Sequence, residues 1–112
     1  MKKLDEYTFL IDSATKEYKE NGRSEYFNKI ENKVLAKNDA SLSYLFARDV
    51  KGANVIKHGK VVLNGNDAQL IYLFAIDVYG ADYQAHADKL KSMKMYTMAK
   101  QVEKENTPLC EL

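Results

Sequence analysis

The sequence predicts an all-α fold, a small helical-repeat domain of α-hairpins stacked like a solenoid, with about seven short helices. Residues 38–53 return as residues 66–81, with twelve of the sixteen positions identical at an offset of 28. A repeat of this length is typical of stacked supersecondary units, because each unit is too small to bury its apolar face alone. Asp, Asn and Ser also stand where helix N-caps are required.

One segment favours a β-hairpin when it is taken by itself. In residues 60–76, two β-branched and aromatic runs flank Asn64-Gly65, a strong hairpin signal. The other copies favour helix, since residues 33–37 and residues 96–102 stand at the corresponding places and are rich in helix-forming residues. We therefore predict a helix here, with Asn64-Gly65 as its C-cap.

The first two helices are predicted from apolar spacing and caps. Helix 4–20 ends at Asn21-Gly22, and helix 24–37 is capped by Ser24. The first also carries a faint copy of the repeat motif, in which Tyr7-x-Phe9-x-x-Asp12 matches Tyr44-x-Phe46-x-x-Asp49. The residues predicted to face the core are Leu4, Tyr7, Leu10, Ile11, Ala14 and Tyr18, then Phe27, Ile30, Val34 and Leu35.

The repeat predicts the remaining helices. Each unit has a first helix ended by a left-handed glycine, Gly52 or Gly80, and then a second helix. The helix at 67–79 is apolar almost all round, which favours a central position. The predicted helices are 39–51, 54–64, 67–79, 82–92 and 94–105, the first four capped by Asp39, Asn54, Asp67 and Asp82.

The chain length predicts one domain, 1–112. We divide it into N-terminal capping helices (1–37), two repeats (38–65 and 66–94), a truncated repeat helix (95–105) and a frayed tail (106–112).

Composition excludes several function classes. Seventeen basic against sixteen acidic residues leave a net charge of +1, so no global field attracts nucleic acid or anionic lipid. No apolar run is long enough to span a membrane, and Met1–Glu6 turns acidic too early for a signal peptide. Cys110 is the only cysteine, which excludes an intrachain disulfide and fits a reducing cytosol.

Two pairs of repeat-equivalent residues are candidates for chemistry. His58 and His86 stand one repeat apart, about 10 Å in a solenoid, which is too far to share a metal ion. We favour packing or hydrogen bonding between repeats for them. Asp49 and Asp77 are predicted to accept hydrogen bonds from the following loops rather than to act as an acid–base pair. No catalytic residue, cofactor or metal is predicted.

The positions at which the two copies differ are the candidates for a binding surface. Residues 48, 51 and 55 become Ile76, Tyr79 and Tyr83, so the second unit gains apolar and aromatic character. These three side chains either form an exposed patch of the kind found in interface hot spots, or pack against the neighbouring helices. The partner-binding candidates are Arg48, Lys51, Ile76, Tyr79 and Tyr83.

The unit Asn-Asp-Ala-x-Leu-x-Tyr-Leu-Phe-Ala-Arg-Asp-Val-Lys-Gly-Ala-Asn at residues 38–54 resembles a short helical repeat found in tandem in bacteriophage and prophage proteins. The resemblance covers residues 38–94 and, in shortened form, 95–105. It implies a phage or mobile-element origin, a location in the host bacterial cytosol and no catalytic residues to carry over. Phage proteins of this size include inhibitors of host defence, among them anti-CRISPR proteins.

The function expected from these observations is that of a non-enzymatic protein-binding module. Its partner would be a bacterial defence complex such as a CRISPR effector, inhibited by occlusion or by trapping one conformation. One alternative is a nucleic-acid-binding accessory protein, and another is a repeat protein that self-assembles, for example as a homodimer. No membrane partner is expected. The nucleic-acid alternative depends on Lys51, Lys57, Lys60, Lys89, Lys91 and Lys94.

Overall fold

The structure, a computed structural model, describes residues 3–105, with side chains from residue 5 onward. The all-α prediction is confirmed for this range, and every predicted helix end lies within two residues of the observed one. Leu4 was predicted to face the core, but its side chain is outside the described part of the structure. The predicted tail, which includes Cys110, also lies outside the described residues. The helices are α1 (Lys3–Asn21), α2 (Glu25–Ala36), α3 (Ala40–Asp49), α4 (Val55–Asn64), α5 (Ala68–Asp77), α6 (Tyr83–Ser92) and α7 (Tyr96–Glu105).

Side-chain caps begin five of these helices, as the sequence predicts. In each, the cap oxygen accepts a hydrogen bond of 3.0 to 3.2 Å from the backbone N–H three residues later. Such a cap contributes about 1 kcal/mol and fixes where the helix starts. The five caps are Ser24, Asp39, Asn54, Asp67 and Asp82.

The helix ends follow the repeat. Gly52 and Gly80 adopt φ of +84° and +85°, the left-handed conformation predicted for them. Gly65 is the C-cap of α4, as predicted, and it holds the right-handed conformation with a φ of −82°. Asn66 takes the left-handed conformation instead (φ +58°), as does its equivalent Asn38 (φ +50°). Apart from glycine, asparagine is the residue type that best tolerates the left-handed conformation, because its short polar side chain can hydrogen-bond locally.

The helices pack as successive pairs. α1 packs on α2, α3 on α4 and α5 on α6, while α1, α3, α5 and α7 contact one another in that order. α5 lies centrally, as its all-round apolar surface predicts, with contacts to α3, α4, α6 and α7. The molecule measures 40 × 33 × 18 Å, and its least dimension matches two helix layers, since one helix is about 10 Å across.

Two clusters of buried side chains form the interior. The first core joins α1, α2 and one face of α3, and the second core joins the other face of α3 to α4, α5, α6 and α7. Phe46 of α3 belongs to the first core and Tyr44 to the second. Phe9 is 64% exposed, so the faint motif copy in α1 does not place its phenylalanine as Phe46 is placed.

Of the described helices, none has both the length and the apolar character needed to cross a membrane.

Candidate functional site

Both histidines lie in the interior and stack on the phenylalanine of their own repeat. The ring centroids of Phe46 and His58 are 4.9 Å apart, and those of Phe74 and His86 are 5.0 Å apart and nearly parallel. The two contacts join the first and second helices of each unit. The packing predicted for the histidines is therefore found in both copies.

His58 also belongs to a buried hydrogen-bond network between units. Its Nε2–H donates to Oε2 of Glu31 at 3.1 Å, and its Nδ1 lies 3.2 Å from Oγ of Ser43. The same Glu31 oxygen accepts from the N–H of Asn54 at 2.6 Å, and Oε1 accepts from Arg23 at 2.7 Å. Glu31 thus joins α2 to the start and the interior of α4.

The network keeps Glu31 ionised although it is only 3% exposed. Burial by itself raises the pKa of a carboxyl group. Hydrogen bonds from His58, Asn54 and Arg23 outweigh that effect and lower the pKa of Glu31 to about 2. A buried charge with this many donors is compensated, so the network holds α2 against α4.

The order of groups in this network, serine to histidine to carboxylate, is that of a hydrolase triad. Unlike a hydrolase triad, this network is not accessible to a substrate. Ser43 and His58 are fully buried, so no substrate carbonyl can reach the hydroxyl. Within residues 3–105, no group of three or more His, Cys, Asp or Glu side chains is arranged to hold a metal ion.

The aspartates of the motif bond differently from the prediction. Asp77 accepts a hydrogen bond of 2.7 Å from the hydroxyl of Tyr44 in the preceding unit. Asp49 accepts two from Arg48, at 2.8 and 3.0 Å. The predicted bonds to the following loops are wrong, because a tyrosine and an arginine reach these carboxylates instead.

The divergent residues Ile76, Tyr79 and Tyr83 were predicted either to form an exposed patch or to pack against neighbouring helices, and each prediction holds for some of them. Tyr79 is 98% exposed. Ile76 and Tyr83 are partly buried and pack against the second core. The three side chains therefore do not form one exposed patch, and Tyr79 projects alone from the loop between α5 and α6.

Tyr79 lines two of three depressions that share lining residues. A depression of about 360 Å³ between the loops after α3 and α5 is lined by Arg48, Asp49, Lys51, Asp77 and Tyr79, and we name these residues the corner surface. A depression of about 610 Å³ beside α1 shares Asp49 and Lys51, and one of about 520 Å³ shares Asp77 and Tyr79. Of the five predicted partner-binding residues, Arg48, Lys51 and Tyr79 thus meet at one depression.

The other two candidates lie apart from it. Ile76 lines the neighbouring depression, and Tyr83 lines none of these three.

The sequence reasoning missed a second aromatic surface at the N-terminal end. Phe9 of α1 and Tyr26 of α2 are 64% and 59% exposed and line a cleft of about 150 Å³ together with Lys29 and Lys33. The signal was available, because Phe9 and Tyr26 both fall outside the predicted apolar stripes of their helices.

Comparisons with family models, with curated proteins and with solved structures find no significant match to this chain.

Proposed function

We propose that this protein is a non-enzymatic binding module that captures another protein through the corner surface, with Tyr79 as its anchor. The observation that carries the proposal is the full exposure of one large aromatic side chain on a well-defined turn. Val78 before it is buried, and Gly80 after it holds the left-handed conformation. A tyrosine offers a large, amphipathic contact area at low cost in conformational entropy.

The charges around Tyr79 suit the rim of an interface. The Arg48–Asp49 ion pair, Lys51 and Asp77 supply both signs of charge around the same depression. Protein interfaces commonly surround an aromatic anchor with such a polar rim, which selects the partner more than it adds affinity. The partner surface is therefore proposed to carry an apolar pocket with charges of both signs around it.

The partner we propose is a bacterial defence complex, and a CRISPR effector is the most concrete case. The resemblance of the repeat unit to those of bacteriophage and prophage proteins supports this class. Binding would act by occluding a working surface or by stabilising one inactive conformation of the complex. The burial of Ser43 and His58 supports a mode of action without catalysis.

The test is affinity capture from lysate of a bacterium that carries such a defence system, with mass spectrometry of the retained proteins. The wild-type protein should retain a stoichiometric defence complex, and Tyr79→Ala should lose it. Tyr26→Ala is the matched control, since it removes another exposed tyrosine that lines a different cleft. Equal retention by Tyr79→Ala contradicts the proposal. Recovery of nucleic acid alone, lost with added salt, would favour the nucleic-acid alternative.

Self-association is the second candidate function, because the N-terminal end exposes Phe9 and Tyr26 together. Two such ends could bury these aromatic rings against each other. Light scattering over a dilution series should then show a dimer that Phe9→Ser converts to monomer. A mass that stays monomeric at every concentration contradicts it.

A further inference from the structure

The two buried histidines differ in one contact between units. Glu31, which bonds Nε2 of His58, precedes that histidine by 27 residues, and the residue 27 places before His86 is Gly59. Asp82 likewise occupies the place of Asn54, whose N–H is the second donor to the Glu31 carboxylate. The second unit therefore has the equivalent histidine, His86, and the equivalent backbone N–H, that of Asp82, but no carboxylate in the place of Glu31.

A cleft opens where that side chain is missing. It has a volume of about 90 Å³ and lies between α4 and α6, next to Gly59 and His86. Its walls are largely apolar, with Val55, Ile56 and Leu63 on the α4 side, and Lys60 and Asp82 supply the charged groups.

The imidazole of His86 presents one free nitrogen to this cleft. Nδ1 lies 3.0 Å from the carbonyl oxygen of Ile71, and since a carbonyl only accepts, Nδ1 carries the proton. No described residue bonds Nε2, and a Cβ built on Gly59 would lie 3.4 Å from it. The side chain is 1% exposed, and the Phe74 ring stacked on it fixes its orientation.

We propose that this cleft is a binding site for a short aliphatic monocarboxylate, which takes the place beside His86 that the Glu31 side chain occupies beside His58. Beyond its Cα, a glutamate side chain is propionate, so propionate beside Gly59 restores the missing group. One carboxylate oxygen accepts from His86 Nε2–H and from the N–H of Asp82, and the alkyl chain packs on Val55 and Ile56. This site is independent of the corner surface and of the proposed function.

Binding at this site takes up a proton. Because Nδ1 is already the donor to Ile71, Nε2 donates to a carboxylate only when the ring carries both protons. Burial lowers the pKa of His86 and outweighs the bond to Ile71 and the nearby charge of Asp82, both of which raise it. The charged groups at the cleft are Asp82 beside the ring and Lys60 from α4, while α5 contributes only the Ile71 carbonyl and the Phe74 ring. Affinity should therefore fall as the pH rises.

The experiment is a titration with propionate at pH 6, followed through the imidazole NMR signals of both histidines. The His86 signals should move and its pKa should rise by one unit or more, which corresponds to at least tenfold tighter binding to the protonated ring. The His58 signals are the internal control, since Glu31 already fills the equivalent place. 1-Propanol, which has the same chain without the charge, should leave His86 unmoved.

Two variants complete the test, each checked for its helical circular dichroism. Gly59→Ala places a methyl group 3.3 Å from the Phe74 ring and should weaken propionate binding at least tenfold. Gly59→Glu supplies the carboxylate from the chain and should raise the His86 pKa without ligand. An unmoved His86 signal at saturating propionate, an equal response to 1-propanol, or unchanged binding by folded Gly59→Ala would overturn the proposal.

Discussion

The hydroxyl of Tyr44 donates a hydrogen bond of 2.7 Å to Asp77, 33 residues further along the chain. It joins α3 of the first repeat to the end of α5 in the second. Burial and the Asp77 carboxylate both raise the pKa of Tyr44, so the phenol stays protonated as a donor. Asp77 thus serves the contact between successive units, whereas its equivalent Asp49 pairs with Arg48 of its own helix.

This bond should have a measurable coupling energy. Tyr44→Phe and Asp77→Asn, alone and combined, should show an interaction of about 1 kcal/mol in the free energy of unfolding by urea. Asp49→Asn is the control, because Asp49 pairs with an exposed arginine and should cost under about 1 kcal/mol. Additive effects of Tyr44→Phe and Asp77→Asn would show that the bond contributes nothing.

The two left-handed glycines should respond unequally to alanine. Both have nearly the same φ, so each substitution incurs the same backbone strain of about 1 kcal/mol. A Cβ at Gly52 would also collide with the Tyr18 ring, whereas nothing lies within 4 Å of one at Gly80. Gly52→Ala should therefore lower the free energy of unfolding more than Gly80→Ala does.

Tyr18→Ala supplies the check on that difference. Combined with Gly52→Ala, it should remove the extra loss, since the colliding ring is gone. If the difference between the glycines persists in the Tyr18→Ala background, the ring contact is not its cause.

Acid should unfold the protein partly through Glu31. The pKa of this carboxyl lies at about 2 in the folded state, below its usual 4.5. Its contribution is therefore complete above pH 4.5 and is lost as the pH falls toward 2, by about 3 kcal/mol in all. Urea unfolding across that pH range should show a flatter curve for Glu31→Gln than for wild type. Glu25→Gln, an exposed carboxylate on the same helix, should leave the curve unchanged, and parallel curves for all three would contradict the prediction.

Substitution of Tyr79 and of Tyr83 should have different effects on the stability of the fold. Tyr79→Ala should leave the midpoint of thermal unfolding unchanged, because its side chain touches almost nothing. Tyr83→Ala should lower the free energy of unfolding by about 2 kcal/mol, since its ring packs on the second core. Calorimetry on both variants decides, and a clear loss of stability in Tyr79→Ala would assign it to folding.

The helices could be predicted because their signals are local. Ser24, Asp39 and Asp67 each bond a backbone N–H three residues away, so the sequence alone marks where those helices begin. The hairpin signal around Asn64-Gly65 is also local and misleading, and only comparison with the sibling copies corrected it. The C-cap at Gly65 was predicted correctly, whereas the left-handed conformation of the next residue, Asn66, was not predicted.

The buried network could not be predicted in the same way, because Glu31 and His58 are 27 residues apart and belong to different units. The alignment of the two repeats matched His58 with His86. It did not extend to Glu31 and Gly59, which precede these histidines by the same number of residues. The exposure of the side chains near the end of α5 could not be predicted either. α5 is apolar on every side, so its sequence does not tell that Ile76 is partly buried, and Tyr79 was predicted inside this helix but lies beyond its end at Asp77.

The division of the interior into two cores has a consequence for how the molecule opens. Among the described helices, α3 alone supplies buried hydrophobic residues to both cores, with Phe46 on one face and Tyr44 on the other, while His58 of α4 adds a contact to Phe46. Loss of the first core would leave α5, α6 and α7 packed on each other, whereas loss of α3 would expose both cores at once. Native-state hydrogen exchange should then detect a partially unfolded form in which α1 and α2 open before α5 and α6. In the described part of the chain, the coupling between the two cores is therefore expected to depend mainly on this one ten-residue helix.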